Sequence, residues 1–270
     1  SVGDTEFGGS GGPAIMAVVN LSPDSWYRES VCLTAEAAIE RGFVLYAQGA
    51  NIIDIGAEST LAKAERVDAD AQNSQLLPVV RELAKAGIPV SIETYQPEVA
   101  RACLEAGTAV LNLTGAEHSA EIYPMVADYD AAVIICFVEG ENVREVGNYR
   151  LEEDPIPSLK DYFSKEIEIA TQAGVEKIFI DPGLGFYYGN LQDSATRVQH
   201  QMKALVNSFR LRTLGFPVCH ALPHAFEYFK DEVRSAEGFF AVLAALGKTD
   251  LLRTHEVGKV KAVLDTMSAF

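Results

Sequence analysis

The sequence predicts a (β/α)8 TIM barrel in a single domain, and three observations carry that prediction. Short apolar runs that read as buried strands alternate with segments of helical spacing eight times along the 270 residues. The interiors of those runs are almost wholly Val, Ile, Leu and Ala, as expected of a parallel sheet covered on both faces. Polar and ionisable residues gather where the runs end, and barrels of this kind carry their active sites at the C-terminal ends of the strands. A doubly wound open sheet is the alternative. Against it, neither a GxGxxG nor a Walker A sequence follows the first strand.

The first strand is Ile15–Leu21, apolar up to Asn20. The helix Thr34–Gly49 follows, with Thr34 as N-cap, Ala38, Phe43 and Leu45 among good helix formers, and Gly49 as its stop. The second strand, Asn51–Gly56, holds Asp54. Helices Ala71–Gly87 and Pro97–Gly107 end on glycine and flank the third strand, Pro89–Tyr95. Ala109–Thr114 is the fourth strand, and a short helix near Ser119–Asp128 leads to the fifth, Ala131–Phe137. The charge-rich stretch Glu139–Glu153 is expected to be a solvated loop. Helix Ser158–Gly174 precedes the sixth strand, Lys177–Asp181, whose apolar run Ile178-Phe179-Ile180 meets Asp181-Pro182-Gly183. Helix Gln192–Leu211, strand Phe216–Leu222, helix Asp231–Gly247, strand Leu251–His255 and helix Gly258–Phe270 complete the series. The glycine-rich start, Ser1–Pro13, lacks an initiator Met and is read as a processed end or a mobile tail. The expected organisation is therefore a flexible segment, 1–14, before a barrel, 15–270.

A formal net charge of −16 argues against non-specific binding to nucleic acid and against docking on anionic membrane. It leaves room for an anionic small substrate held by a local Arg/His cluster. Hydrophobic residues at 48% and charged residues at 22% are ordinary for a globular chain. No run is long enough to span a bilayer, and no signal-peptide pattern opens the sequence. Cys32, Cys103, Cys136 and Cys219 are far apart with no CxxC pair, so reduced thiols in a cytoplasmic protein are expected.

The strand ends offer Asn20 with Ser22-Pro23-Asp24-Ser25, Asp54 with Glu58-Ser59-Thr60, Glu93-Thr94-Tyr95, Asn112, Asp181, His220 with His224, and Arg253 with His255. Buried polar groups cost free energy unless paired, so their concentration at one rim suggests a binding site. Arg253 and His255, two apart on a strand, project to the same face. Each residue also has a plainer reading. Asp181 could cap its Pro-Gly turn, Asn20 could form an Asx turn, Glu93 could be a rim residue, and Arg253 and His255 could pair with Glu256. Asp54, inside an apolar run, is read as a structural hydrogen-bonder. His220 and His224 would suggest zinc only on a helix with a third ligand, and are read as packing or loop residues.

Taken in order, these endings resemble the dihydropteroate synthase family of pterin-binding barrels. The matching pieces are Ile15-Met-Ala-Val-Val-Asn-Leu-Ser-Pro-Asp-Ser25, Gly49-Ala-Asn-Ile-Ile-Asp-Ile-Gly-Ala-Glu-Ser-Thr60, Val90-Ser-Ile-Glu-Thr-Tyr95, Ile180-Asp-Pro-Gly-Leu-Gly-Phe186 and Arg253-Thr-His-Glu-Val257. The resemblance implies transfer of a 6-hydroxymethyl-dihydropterin from its diphosphate to p-aminobenzoate or a related amine, with pyrophosphate leaving first. It implies a small-molecule pterin substrate, Mg²⁺ with the diphosphate, and a homodimer formed through outer helices. Residue by residue, it places Asp181 and Asn112 on the pterin, with Glu93 beside the ring and the developing cation. Arg253, His255, Asn20 and Thr60 fall on the diphosphate, and Asn20 also on the Mg²⁺. Glu93, Arg253 and His255 are the residues it would make catalytic.

The chain also departs from the family pattern. Where the family runs into Ser-Arg-Lys after the seventh strand, this sequence has Pro223, His224 and Ala225. Leu61-Ala62-Lys63 stands where Arg-Pro-Gly is usual, Asn112-Leu113 for Asn-Asp, and Cys136-Phe137-Val138 for Met-His-Met. The first loop carries Trp26-Tyr27-Arg28-Glu29. Loss of a buried charge-assisted hydrogen bond costs about 1.5–3 kcal/mol. Two readings of activity therefore stand beside each other: a pterin-diphosphate-dependent transferase, and a non-catalytic pterin-binding homologue with a regulatory or partner role. A folate-linked methyltransferase relative shares the barrel but matches these motifs less well.

Overall fold

A computed structural model describes residues 1–9, 11–25, 27–58, 67–140, 148–186, 188 and 193–269. Eight parallel strands form the sheet: β1 Ala14–Asn20, β2 Ile52–Gly56, β3 Val90–Thr94, β4 Val110–Leu113, β5 Ala132–Cys136, β6 Lys177–Asp181, β7 Cys219–Ala221 and β8 Leu251–Thr254. Their order is β6-β5-β4-β3-β2-β1-β8-β7. The ring closes through an isolated parallel bridge between Ile180 and Val218, with the Ile180 amide 3.1 Å from the Pro217 carbonyl oxygen. This is the (β/α)8 barrel expected from the alternation of apolar runs and helical segments.

Helices α1 Ala35–Ala47, α2 Ala69–Lys85, α3 Pro97–Glu105, α4 Ser119–Asp128, α5 Ile156–Gln172, α6 Ser194–Asn207, α7 Phe226–Phe229, α8 Ala236–Leu246 and α9 Val257–Ser268 follow the strands. Side-chain caps define several starts. Thr34 Oγ1 accepts from the Ala37 N–H at 3.1 Å, and Asp68 Oδ1 from the Ala71 N–H at 2.8 Å. No described helix is long and apolar enough to cross a membrane.

Strand periodicity sorts the residues into two cores. Ile15, Ala17, Val19, Ile53, Ile55, Val133 and Ile135 point outward and pack under the helices. Ala14, Met16, Ile52, Val110, Ala132, Ile134, Phe179, Cys219 and Leu251 fill the barrel interior. The leading segment contributes to that second core: Val2 is buried, and Phe7 meets Phe179 edge-on at 4.7 Å between ring centroids. Apolar side chains thus plug the N-terminal half of the barrel, and polar inward positions are left for the C-terminal half.

The seventh strand is shorter than the expected Phe216–Leu222. Pro217 has no N–H to donate, so ladder pairing starts only beyond it. The expected long helix Gln192–Leu211 is α6 followed by a 3-10 segment, Ser208–Leu214, which Gly215 ends with φ +88°.

Candidate active site

The alternation that buries Ile52 inside β2 also turns Asp54 inward. On the neighbouring strands it turns in Ser91 and Glu93 from β3, Asn112 from β4, Cys136 from β5, Asp181 from β6, Ala221 from β7, Arg253 from β8 and Asn20 from β1. Glu93, Asn112, Asp181, Arg253, His255 and Asn20 all line one pocket at the C-terminal mouth, together with Glu58, Cys136, Leu222, Phe186 and His224. Sequence reasoning placed the first six of these at strand ends, and the fold brings them together. Thr60 and Trp26 lie outside the described residues.

Arg253 is the centre of the charge network. Its Nε donates to Asp54 Oδ2 at 2.7 Å, and its Nη2 donates to Glu93 Oε2. Asp54 is fully buried, and it also accepts from Ser91 Oγ at 2.5 Å and from Asn112 Nδ2 at 3.3 Å. It is thus the structural hydrogen-bonder that its apolar surroundings imply, and its partner is an arginine two strands away, across β1. Burial works against the Arg253 charge, but Glu93 and Asp54 outweigh it and hold its pKa above the usual guanidinium range. Burial pushes the Glu93 carboxyl up, with Arg253 opposing.

Asp181 is buried at 3% exposure, and its Oδ1 accepts the Gly183 N–H at 2.8 Å. The Ala221 N–H and the Cys219 thiol also bond it. Burial raises its pKa from 3.8 to about 6, against the pull of the Gly183 N–H and Arg253. Gly183 makes this turn feasible. Its φ is +73°, and a Cβ there would sit 2.1 Å from the Phe137 carbonyl oxygen. Asn20 Nδ2 donates to Ser30 Oγ at 2.6 Å, which leaves its carbonyl oxygen as the amide's acceptor.

A second cluster forms the other wall. Glu237, from the first turn of α8, is fully buried. His224 Nε2 and His255 Nδ1 each lie 2.7 Å from its Oε1. Burial alone would raise the Glu237 pKa, but His255 and His224 outweigh it and hold the carboxyl well below the usual range. Burial pushes the His255 imidazole down, with Glu237 partly offsetting. Tyr27 stacks on His255 at 4.3 Å and donates its hydroxyl to Glu256. Glu256 is bound in turn by Arg234, at 2.5 Å from Nε. Arg253 and His255 therefore pair with carboxylates other than Glu256.

One expectation needs correcting here. His224, read as a packing or loop residue, lines the pocket beside Glu237 and His255. Ala225, which stands at the family's lysine position, faces a groove between α6 and α8 with φ +45° and is not on the pocket wall. His220 is a packing residue as expected. It points outward from β7 to Ser208 Oγ at 2.6 Å, and burial lowers its pKa to about 3. Sequence reasoning missed Glu237 altogether. The available signal was a lone acid within the apolar helix Ala-Glu-Gly-Phe-Phe-Ala-Val-Leu-Ala-Ala-Leu.

The family model described as pterin binding enzyme matches residues 16–222. Dihydropteroate synthase from Streptococcus pyogenes is 31% identical over 270 residues, covering 96% of each chain. The Bacillus subtilis enzyme of the same name is 27% identical, over 94% of this chain and 87% of its own. Among solved structures, dihydropteroate synthase from Xanthomonas albilineans with 4-aminobenzoic acid superposes with a TM-score of 0.79. It is 28% identical, over 95% of this chain and 92% of that one. The synthase from Clostridium difficile, solved in the presence of pteroic acid, gives a TM-score of 0.81 at 26% identity over 98% of both chains. The likeness runs from the first strand through the rim that carries Asn20, Asp54, Glu93, Asn112 and Asp181, and this chain belongs to the pterin-binding enzyme family.

Proposed function

We propose that the protein binds a 6-hydroxymethyl-dihydropterin diphosphate and transfers its pterin to p-aminobenzoate or a related amine, as a dihydropteroate synthase-type enzyme of folate biosynthesis. The observation that carries this reading is the inward-facing set Asp54, Glu93, Asn112, Asp181 and Arg253 at one end of the barrel. A flat heterocycle with amino and ring N–H groups suits a buried carboxylate beside an amide, so Asp181 and Asn112 would take the pterin edge. Phe186, Leu222 and Cys136 supply the apolar wall that keeps the pocket dry.

In the transfer step the methylene C–O bond breaks and its electron pair leaves with the diphosphate. The amine nitrogen then attacks the pterin methylene cation and loses a proton. Glu93, paired with Arg253, would stabilise that cation through its carboxylate, and Arg253 and His255 would hold the departing diphosphate. Asn20 fits a hard divalent cation such as Mg²⁺, because its amide nitrogen is engaged by Ser30 and its oxygen is left to ligate. Such a cation would neutralise charge on the leaving group.

The non-catalytic reading draws on the placement of Ala225 away from the pocket and on the tie between His224 and Glu237. Calorimetry with the pterin alone, then with its diphosphate plus Mg²⁺, tests the ligand. Pyrophosphate release on adding p-aminobenzoate tests the reaction. Absence of binding by either ligand refutes both readings; binding without release leaves only the second. As parts of the same reading, the protein is cytoplasmic, in keeping with four free cysteines. It is also a homodimer through the α6 and α8 face, where Val206, Tyr228 and Phe239 are exposed. Light scattering on the purified protein checks the mass.

A further inference from the structure

Three residues far apart in the chain meet at the mouth of the pocket: His224 from the β7–α7 loop, Glu237 from α8 and His255 just beyond β8. A fully buried carboxylate must have its oxygens satisfied, and those of Glu237 are satisfied in different ways. Oε2 accepts from Thr254 Oγ1, from the His255 N–H at 2.9 Å and from the Glu256 N–H at 3.1 Å. Oε1 has the His255 N–H at 3.2 Å and, closer, two imidazole nitrogens at 2.7 Å each. All three donor atoms lie within 4.8 Å of one another.

We propose that His224, Glu237 and His255 bind a divalent transition-metal ion of the zinc class, through His224 Nε2, His255 Nδ1 and Glu237 Oε1. Two imidazoles and one carboxylate are a donor set that zinc takes in catalytic sites, with the fourth position left to water or substrate. Tetrahedral bonds of about 2.0–2.1 Å would set the donor atoms about 3.3 Å apart. The two 2.7 Å contacts would lengthen by about 0.6 Å to reach that spacing. Each neutral imidazole would carry its proton on the nitrogen turned away from the ion.

The surroundings are built as metal sites require. The Thr254 hydroxyl and two backbone N–H groups orient the Glu237 carboxylate through its other oxygen. Tyr27 stacks on the His255 ring at 4.3 Å, and Phe226 lies face to face with the His224 ring at 5.7 Å. Both histidines line the main pocket, so the open coordination position faces its contents. An ion there adds positive charge to the rim beside Arg253, whose charge is shared with Asp54 and Glu93. It would offer a ligand site for an anionic oxygen of the leaving diphosphate. That last role rests on the function proposed above; the metal site itself does not.

The test needs no pterin. Chain stripped with a chelator is titrated with Zn²⁺ by calorimetry, and with Co²⁺ by the visible absorption of tetrahedral cobalt. One equivalent per chain is expected, lost with chelator. Binding should weaken by about a hundredfold or more in Glu237→Gln and in His224→Gln, beyond what an outer-shell partner gives. Circular dichroism checks that each variant is folded. His224, on the pocket wall, keeps the test open if Glu237→Gln does not fold. Absence of metal uptake, or equal uptake by wild type and a folded variant, overturns the site. Inorganic pyrophosphate should then bind the zinc-loaded protein at least about tenfold more tightly than the stripped protein. Equal binding overturns the leaving-group role. Failure of the pterin itself to bind would count against the proposed function and leave the metal result standing.

Discussion

Replacing Asp181 by Asn separates what the pocket costs from what it does. Burial lifts this carboxyl from 3.8 to about 6, so the folded state holds the proton more tightly than the unfolded chain. The sign follows: the stability associated with the protonated group is fully present below pH 3.8 and is lost as pH rises through 6. At ~1.36 kcal/mol per pH unit, that gap amounts to about 3 kcal/mol. Asn cannot titrate, so the stability difference between Asp181→Asn and wild type should move in favour of the variant by about 2.4 kcal/mol between pH 4 and pH 7.5. A constant penalty, such as the amide nitrogen facing the Ala221 N–H, cancels in that difference. Urea unfolding of both proteins across the range measures it. In the same proteins, wild-type pterin affinity should fall as pH drops below about 6, roughly tenfold per pH unit, because only the carboxylate accepts both pterin donors. The variant should bind about 10–100-fold more weakly at pH 7.5, with little pH dependence. Parallel stability curves would refute the buried-acid reasoning, and unchanged affinity would refute the placement of the pterin.

Arg253→Met leaves Asp54 and Glu93 buried without their shared counter-charge and should cost about 3–5 kcal/mol in denaturant unfolding. Gly183→Ala forces a Cβ against the Phe137 carbonyl at a left-handed φ; it should destabilise by about 1–3 kcal/mol and weaken pterin binding through displacement of Asp181. Ala225→Lys should leave pterin affinity unchanged and lower stability by about 1–3 kcal/mol, because the added side chain starts on the α6/α8 side from a left-handed backbone. A gain in pterin affinity in that variant would show that residue 225 reaches the pocket.

The barrel was legible because β1 to β6 are near-continuous apolar runs, and runs such as Ile178-Phe179-Ile180 have no other good use than burial on both faces of a parallel sheet. The inward polar residues were legible for the same reason: a polar residue at the end of a buried strand has few places to point. Glu237 was not legible. On a helix its neighbours are set by the packing of α8 against the end of β8, and Thr254, which points outward to meet it, looks like any β-branched strand residue. His224 was misjudged because loop geometry after a short strand cannot be inferred from spacing. Ala225 shows the same limit from the other side: its position in the sequence matches the family lysine, but its backbone conformation sends the side chain elsewhere.

The bridge between Ile180 and Val218 makes the barrel a ring with one loosely sewn join. Every other neighbouring pair of strands shares a ladder of at least three residue partners, as β7 does with β8. The segment after this join, Pro223-His224-Ala225, is one of the places where the sequence departs from the family's usual motifs. A loosely joined edge transmits little strain to the rest of the ring, so substitutions there reshape one side of the pocket while Asp54, Asn112 and Arg253 stay in register. Amide exchange reports this directly. The Ile180 N–H, bonded only across the join, should exchange ahead of the Ile53 N–H, which is held by the Pro89 carbonyl within the continuous part of the sheet.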